Sequence, residues 1–273
     1  MSASRNPHAD QMAHESMIRT LAAQANAIWP QEESLLARYG LPPECRIADI
    51  GCGSGEITSR LALKYPLATV IGVDILESSV AYARRRYAAL APRLSFQQGD
   101  AFALAFESDE FDLVACRHMT QSIPEPQKVL AELRRICRPG GWLHILSEDY
   151  GMLHMMAGKL DPDRLWHEGA VPFGRSTGVD TRVGRRTWTL LHDLGLEELR
   201  VDYVTVDTLR VPRETFAAMM EAWRDGYVDA IGIHTALSSA EARALFDVII
   251  ASIRNPREYA VWQVPIVSGR KPR

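Results

Sequence analysis

The stretch "IADIGCGSGEIT", residues 47–58, places three glycines at alternate positions directly after an apolar run. That order reads as a strand, a tight turn and a helix start. Glycine reaches backbone conformations closed to other residues and puts no side chain over a turn. Gly51 would permit the sharp turn, Gly53 would let a ligand lie on the main chain, and Gly55 would let the helix pack close. Any sharp strand-to-helix turn favours glycine, so the motif alone does not fix a function.

Its surroundings constrain the fold further. Strand patterns at 45–51, 68–74, 94–100, 111–118 and 141–148 alternate with helical patterns at 56–65, 78–90 and 124–137. The run "FDLVACRH" is almost continuously apolar, as expected for a strand covered on both faces. Such alternation predicts a parallel sheet with helices on both sides. After Glu148 the regularity fails, and residues 149–183 mix Met, His, Trp, Gly and Pro. A helix at 184–194 and strands at 198–207 and 258–268 complete the sheet. Two helices, Arg213–Ile231 and Ser238–Ile253, lie between those strands. Ahead of the first strand, Asp10–Trp29 has a helical pattern anchored by Met17, Leu21 and Ile28. A second short helix, Glu32–Tyr39, stops at Gly40, and residues 1–9 read as disordered. The expected fold is α/β: a Rossmann-like doubly wound seven-stranded sheet, mostly parallel, with an antiparallel last strand. Residues 1–40 form an N-terminal helical cap, 41–210 and 258–273 the core, and 211–257 a helical insertion serving as a lid.

With 273 residues and a net charge of −3, the chain lacks the broad basic surface that non-specific nucleic-acid binding needs. Arg84-Arg85-Arg86 and Arg134-Arg135 fall in helical patterns and read as solvated faces. Cys45, Cys52, Cys116 and Cys137 form no C-x-x-C pair, and no histidine spacing supports a metal. Neither a basic-then-apolar start nor a long apolar window is present. The expectation is a cytoplasmic protein with a small-molecule partner, without nucleic acid or membrane, as a monomer or homodimer.

In a doubly wound sheet, ligands bind beyond the C-terminal strand ends, where the strand order reverses. Asp74 ends the second strand, where an acid commonly grips ribose hydroxyls; it would also suit a helix N-terminus. Asp100 ends the third, where a carboxylate can accept from a purine amine; it could equally be an exposed turn residue. Asp49, before the turn, is wrong for a phosphate and suits a ligand with a cationic end.

Together "IADIGCGSG", "VIGVD", "QQGDAF", "FDLVACRH" and "LAELRRICRPGGWLHI" resemble successive motifs of the class I S-adenosylmethionine-dependent methyltransferases, over about residues 45–148. The style is nearest the ubiquinone/menaquinone-type and natural-product branch. The resemblance implies S-adenosylmethionine as cofactor, with Asp49 near its amino-acid end and Gly51, Cys52, Gly53 and Gly55 along it. It implies Asp74 on the ribose, Ile75 against the adenine, Asp100 on the adenine amine, Ala101 beside it and Phe102 on the ring. Arg117 and His118 would lie near the reacting methyl. Arg117 is counted with the cofactor-binding residues; it would either steer an anionic acceptor or pair with Glu148 or another carboxylate. His118 would act as a base or orienting group, or only hydrogen-bond its surroundings. Glu148, Asp149 and Tyr150 would point to the cleft mouth with His154 one helical turn on, so His118, His154 and Glu148 are the catalytic candidates. Tyr150, Met155, Trp166, His167, Met219 and Trp223 would line an acceptor pocket, against a core or surface role for each. The implied activity is in-line methyl transfer to an oxygen or nitrogen of a small apolar or aromatic metabolite. A non-catalytic cofactor-binding regulator is the alternative. Nucleic-acid methylation is opposed by the charge and by "RHMTQSIP" where an N-P-P-Y-like tetrapeptide would stand.

Overall fold

A computed structural model describes residue 7, residues 15–156 (15–17 by backbone alone) and residues 158–273. The disorder read for 1–9 falls, apart from Pro7, outside the described residues, as does the side chain of Met17.

The alternation becomes five parallel strands: β1 (Arg46–Ile50), β2 (Thr69–Asp74), β3 (Leu94–Gln98), β4 (Phe111–Arg117) and β5 (Cys137–Leu146). They are ordered β3-β2-β1-β4-β5, so the direction of winding reverses between β1 and β4. Ile47 lies level with Val70 on one side and Leu113 on the other. The crossovers are α2 (Glu56–Lys64), α3 (Glu77–Arg86) and α4 (Pro126–Ile136). Every residue of β4 is buried, because helices cover both of its faces. Burial of each large apolar side chain there, such as Phe111 or Leu113, contributes about 1.5–3 kcal/mol.

Three strands beyond β5 bring the sheet to eight among the described residues, not seven. β8 (Ala260–Arg270) runs antiparallel to β5, and β7 (Glu197–Asp207) pairs antiparallel with it along the outer edge. The additional strand is β6 (Leu153–Met155), which pairs with Trp262–Ala260 of β8. Three residues are too few to display a period of two, so this strand was hidden in the irregular stretch. A π-helical turn (Leu165–Ala170), α5 (Val171–Thr177) and α6 (Thr187–Asp193) follow. Between β7 and β8 come α7 (Arg213–His234) and α8 (Ser239–Arg254), the latter opened by a reciprocal Ser238–Glu241 capping box.

The two expected N-terminal helices are one. α1 (Glu15–Leu36) runs through Pro30 and ends in a 3₁₀ turn, Ala37–Tyr39, closed by Gly40 at φ 58°. A proline inside a helix removes one backbone bond, and tertiary contacts on either side of Pro30 hold the helix together. The Gln31 side chain donates to the Thr205 carbonyl at 2.8 Å and accepts from the Thr205 N–H at 3.1 Å, on β7. Glu32 is buried in an ion pair described below.

Candidate active site

The glycine turn stands at the β1/β4 reversal. Gly53 has φ 52°, and a Cβ there would meet Leu21 Cδ1 of α1 at 2.6 Å. Gly55 has φ 80°, and a Cβ there would meet the Phe96 ring of β3 at 2.7 Å, so its bareness sets helix against sheet. Asp74 ties the end of β2 to this turn. Its Oδ2 accepts from the Gly53 N–H at 2.8 Å and its Oδ1 from the Leu76 N–H at 3.0 Å, where α3 begins. Burial raises the Asp74 pKa above the ordinary carboxylate value. Asp100 Oδ1 closes a tight turn by accepting from the Phe102 N–H at 2.9 Å.

These residues wall a cleft of about 660 Å³ that takes in Gly51, Gly53, Asp74, Ile75, Asp100, Ala101, Phe102, Arg117 and His118. A hollow of about 340 Å³ shares the turn and reaches Asp49, Cys52 and Ser54, with Leu21 and Gln24 of α1 on its wall. Asp49 is buried and accepts from the Thr58 hydroxyl at 2.6 Å. Burial pushes its pKa up to about 6, against the opposing pull of the Thr58 bond.

At the end of β4, neighbouring residues take different parts. Arg117 is buried and forms a bidentate pair with Glu32 of α1, at 2.7 Å for both bonds. Glu32 also meets His144 Nε2 at 2.9 Å, and His144 Nδ1 lies 2.6 Å from the Tyr39 hydroxyl. Burial pushes the Glu32 pKa up, but Arg117 and His144 outweigh it and hold it at about 2. His118 has φ 53°, a left-handed conformation uncommon for its residue type. Its Nδ1 lies 2.6 Å from Glu148 Oε1, which also accepts from Gln24 Nε2 at 3.3 Å. Both side chains are buried, yet His118 Nε2 and Glu148 Oε2 have no hydrogen-bond partner among the described residues.

His118 also lines a third space, of about 370 Å³, with Glu148, Gln121, Ser122, Tyr150, Trp223 and Tyr227. An aromatic cavity that adds Trp166, Phe173 and Phe246 lies beside it and shares Gln121, Ser122, Tyr150, Trp223 and Tyr227 with its wall. Tyr150 stacks on Trp166 (centroids 5.9 Å, 9° between planes) and meets Trp223 edge-on at 5.4 Å. Burial, then the nearby Glu148 carboxylate, pushes the Tyr150 hydroxyl well above its ordinary pKa.

Residues 48–145 match the family described as the methyltransferase domain. Trans-aconitate 2-methyltransferase of Deinococcus radiodurans is 40% identical over 103 residues, covering 38% of this chain and 38% of that protein. Demethylmenaquinone methyltransferase of Thermus thermophilus is 32% identical over 134 residues, covering 49% and 60%. The chain thus spans roughly two to three fifths of the length of these two relatives. The chain carries a class I S-adenosylmethionine-dependent methyltransferase domain. The fold agrees. Haemonchus contortus phosphoethanolamine N-methyltransferase 2, solved with S-adenosyl-L-methionine, superposes with a TM-score of 0.61 at 18% identity, covering 97% of this chain and 60% of that one.

The cofactor of this methyltransferase domain is S-adenosylmethionine, and the residues present fit it. Gly51 and Gly53 put no side chain of their own on the cleft, where Met119 and Leu21 stand beside them; carboxylates of Asp74 and Asp100 stand on the cleft side, and Asp49 at the other end. Ser54 Oγ, in the hollow beside Asp49, is buried without a partner among the described residues.

The fold brings most of the expected site residues of the methyltransferase domain and its surroundings together, but not all. His154 is exposed on β6, a strand and not the helical turn expected, and His167 is exposed on the π-helical turn. Neither lines the spaces described above. Met219 is fully buried in the core, and Met155 packs against that core from its edge. Asp149 turns away to pair with Arg185 at 2.5 Å. Arg117 takes the scaffold role, with Glu32 as its carboxylate. The wall residues that the sequence did not point to include Leu21, Gln24, Gln121 and Tyr227. Gln24 and Glu32 did leave a signal, because they interrupt the apolar stripe Leu21, Ile28, Leu35 of α1 at helical spacing.

Proposed function

We propose that the protein moves a methyl group from S-adenosylmethionine to an oxygen or nitrogen of a small apolar or aromatic metabolite. The observation that carries this is His118, which lines the cofactor cleft and the acceptor space at once. When bound, the cofactor supplies a sulfonium-activated methyl carbon and leaves as S-adenosylhomocysteine.

The chain's own residues divide the remaining work. Asp74 and Asp100 hold the nucleoside end, with Ile75, Ala101 and Phe102 around the base. Asp49, largely ionised at neutral pH, faces the cationic amino-acid end. Leu21 and Gln24 roof the glycine ridge and exclude water. Residues 149–183 and the α7–α8 pair enclose the acceptor, so 1–40 and 211–257 act as cap and lid on the core. Tyr150, Trp166 and Trp223 supply a flat apolar wall. Glu148 accepts from Nδ1 of His118, which leaves the Nε2 lone pair of the neutral ring to take the acceptor's proton. Holding the acceptor in line can supply about 7–11 kcal/mol of barrier lowering when the geometry is near attack.

We place this activity in the cytoplasm, acting on a metabolite and not on nucleic acid. No helix among the described residues is long and apolar enough to cross a membrane. Calorimetric titration with S-adenosylmethionine tests the cofactor side, where Asp74→Ala should weaken binding. Acceptor-dependent release of S-adenosylhomocysteine, across a panel of aryl alcohols, phenols and amines, tests transfer. Failure to release it with every acceptor, despite tight cofactor binding, would leave a binding protein without turnover.

A further inference from the structure

The space shared by His118, Glu148 and Gln121 has an unusual chemical bias. Three buried polar atoms on its wall lack a hydrogen-bond partner among the described residues: His118 Nε2, Glu148 Oε2 and Gln121 Oε1. Buried polar groups are nearly always paired, so three orphans around one cavity ask for a common occupant. All three are acceptors. Glu148 Oε1 engages His118 Nδ1, which makes that nitrogen a proton carrier, and in the neutral ring Nε2 then keeps its lone pair. A carboxylate and an amide oxygen have only lone pairs to offer.

The local charge points the same way. Glu148 has no lysine or arginine partner among the described residues; its one ion-pair contact is His118. The guanidinium next to His118 in sequence, that of Arg117, is bound on both forks by Glu32. Tyr150, Trp223 and Tyr227 form the aromatic part of the wall, and Thr20, Leu21, Gln24 and Ser122 complete it. Aromatic faces attract a cation through the ring quadrupole, more strongly once water is removed.

Resting on the methyl-transfer reading above, we infer that the acceptor is an amine, received as a primary ammonium whose three N–H groups meet Glu148, Gln121 and His118. An alcohol or phenol has one proton to offer three waiting acceptors, and it leaves Glu148 uncompensated. The rest of the acceptor occupies the adjoining aromatic cavity, so the class is an arylalkyl or similarly apolar amine. One ammonium proton passes to His118 Nε2, which frees the nitrogen lone pair. That pair forms the N–C bond as the S–C bond breaks, and the S–C electrons stay on sulfur. The methylated nitrogen keeps its remaining protons, and the imidazolium returns its own to solvent.

The test is calorimetric titration of the full chain, loaded with S-adenosylhomocysteine, using the matched probes 2-phenylethylamine and 2-phenylethanol at neutral pH. The amine should bind about tenfold tighter or more, as charge-assisted hydrogen bonds require. Glu148→Gln should shrink that ratio to about threefold or less. Gln121→Leu, which removes no charge and serves if Glu148→Gln does not fold, should narrow it by about threefold. Equal affinity of the two probes in the unaltered protein overturns the inference, and so does a preference that survives both substitutions. These outcomes are separable from failure of methyl transfer itself. Turnover confined to phenols removes the amine and keeps the transfer, whereas amine-selective binding without any turnover does the reverse.

Discussion

Arg117 and His118 are adjacent in sequence, both side chains are buried, and each faces a glutamate, yet they belong to opposite kinds of network. Around Arg117, both Glu32 oxygens, both His144 nitrogens and the Tyr39 hydroxyl are engaged. Around His118, Nε2 and Glu148 Oε2 are left open among the described residues. Burying charge is tolerated when partners are complete, whereas an open valence lowers stability unless something outside the chain fills it. The left-handed backbone at His118 marks where the chain leaves β4 and the two networks part. The closed network therefore holds the fold, and the open one is available for chemistry.

Breaking the closed network should have the largest effect. Glu32→Gln leaves the Arg117 guanidinium buried without an anion and should destabilise the fold by about 3–5 kcal/mol, read by urea unfolding. The same group sets an acid limit. Its folded pKa of about 2 lies below the ordinary 4.5, so its contribution is complete above pH 4.5 and disappears as pH falls towards 2. An unaltered unfolding midpoint in the variant would show that the network is dispensable. Opening the other network further should leave the fold intact but stop the reaction. His118→Gln keeps a polar group without a usable base, and turnover should fall on the order of a hundredfold. Cofactor affinity and melting temperature should stay close to those of the unaltered protein; if affinity collapses as well, His118 is a cofactor ligand and not a base.

Asp49 should give an intermediate effect of opposite sign to Glu32. Its folded pKa of about 6 lies above the ordinary 3.8, so its stabilising contribution is complete below pH 3.8 and is lost as pH rises through 6. Asp49→Asn should abolish that slope in the cofactor-free protein, seen as a difference in melting temperature between pH 4.5 and pH 7.5. It should also weaken S-adenosylmethionine binding about tenfold, the scale of a lost charge-assisted bond. The smallest effects belong to His154→Ala and His167→Ala. Both positions are exposed and away from the cavities, so turnover should stay within about twofold. A tenfold loss at either would move the acceptor side of the site to the outer face of β6 or the π-helical turn.

The two halves of the site were unequally legible in the sequence. The cofactor half depends on local signals: an apolar run, alternate glycines, and acids at the ends of β2 and β3. A chain that alternates strand and helix must bring those ends to one edge of the sheet. The proposed acceptor half and the closed network beside it depend on distant segments meeting. Gln24 reaches Glu148, and Glu32 reaches Arg117, across stretches whose own patterns say only "helix" or "strand". Pro30 suggested a break in α1, but Gln31 and Glu32 are anchored immediately after it and keep one helix. The histidines behaved differently for a similar reason. His118 follows a buried strand whose end was predictable, whereas His154 and His167 sit in the stretch where no period fixed a direction.

The grip of Gln31 on Thr205 has a bearing on how this molecule meets others of its kind. β7 is the rim of the sheet, and a bare rim is an invitation for a foreign strand to zip alongside it. At Thr205 both outward backbone groups are already taken by a side-chain amide that imitates the next strand for one residue. An approaching chain would find its ladder interrupted there. A helix packed for the sake of the site thus also works as a stopper against runaway self-association.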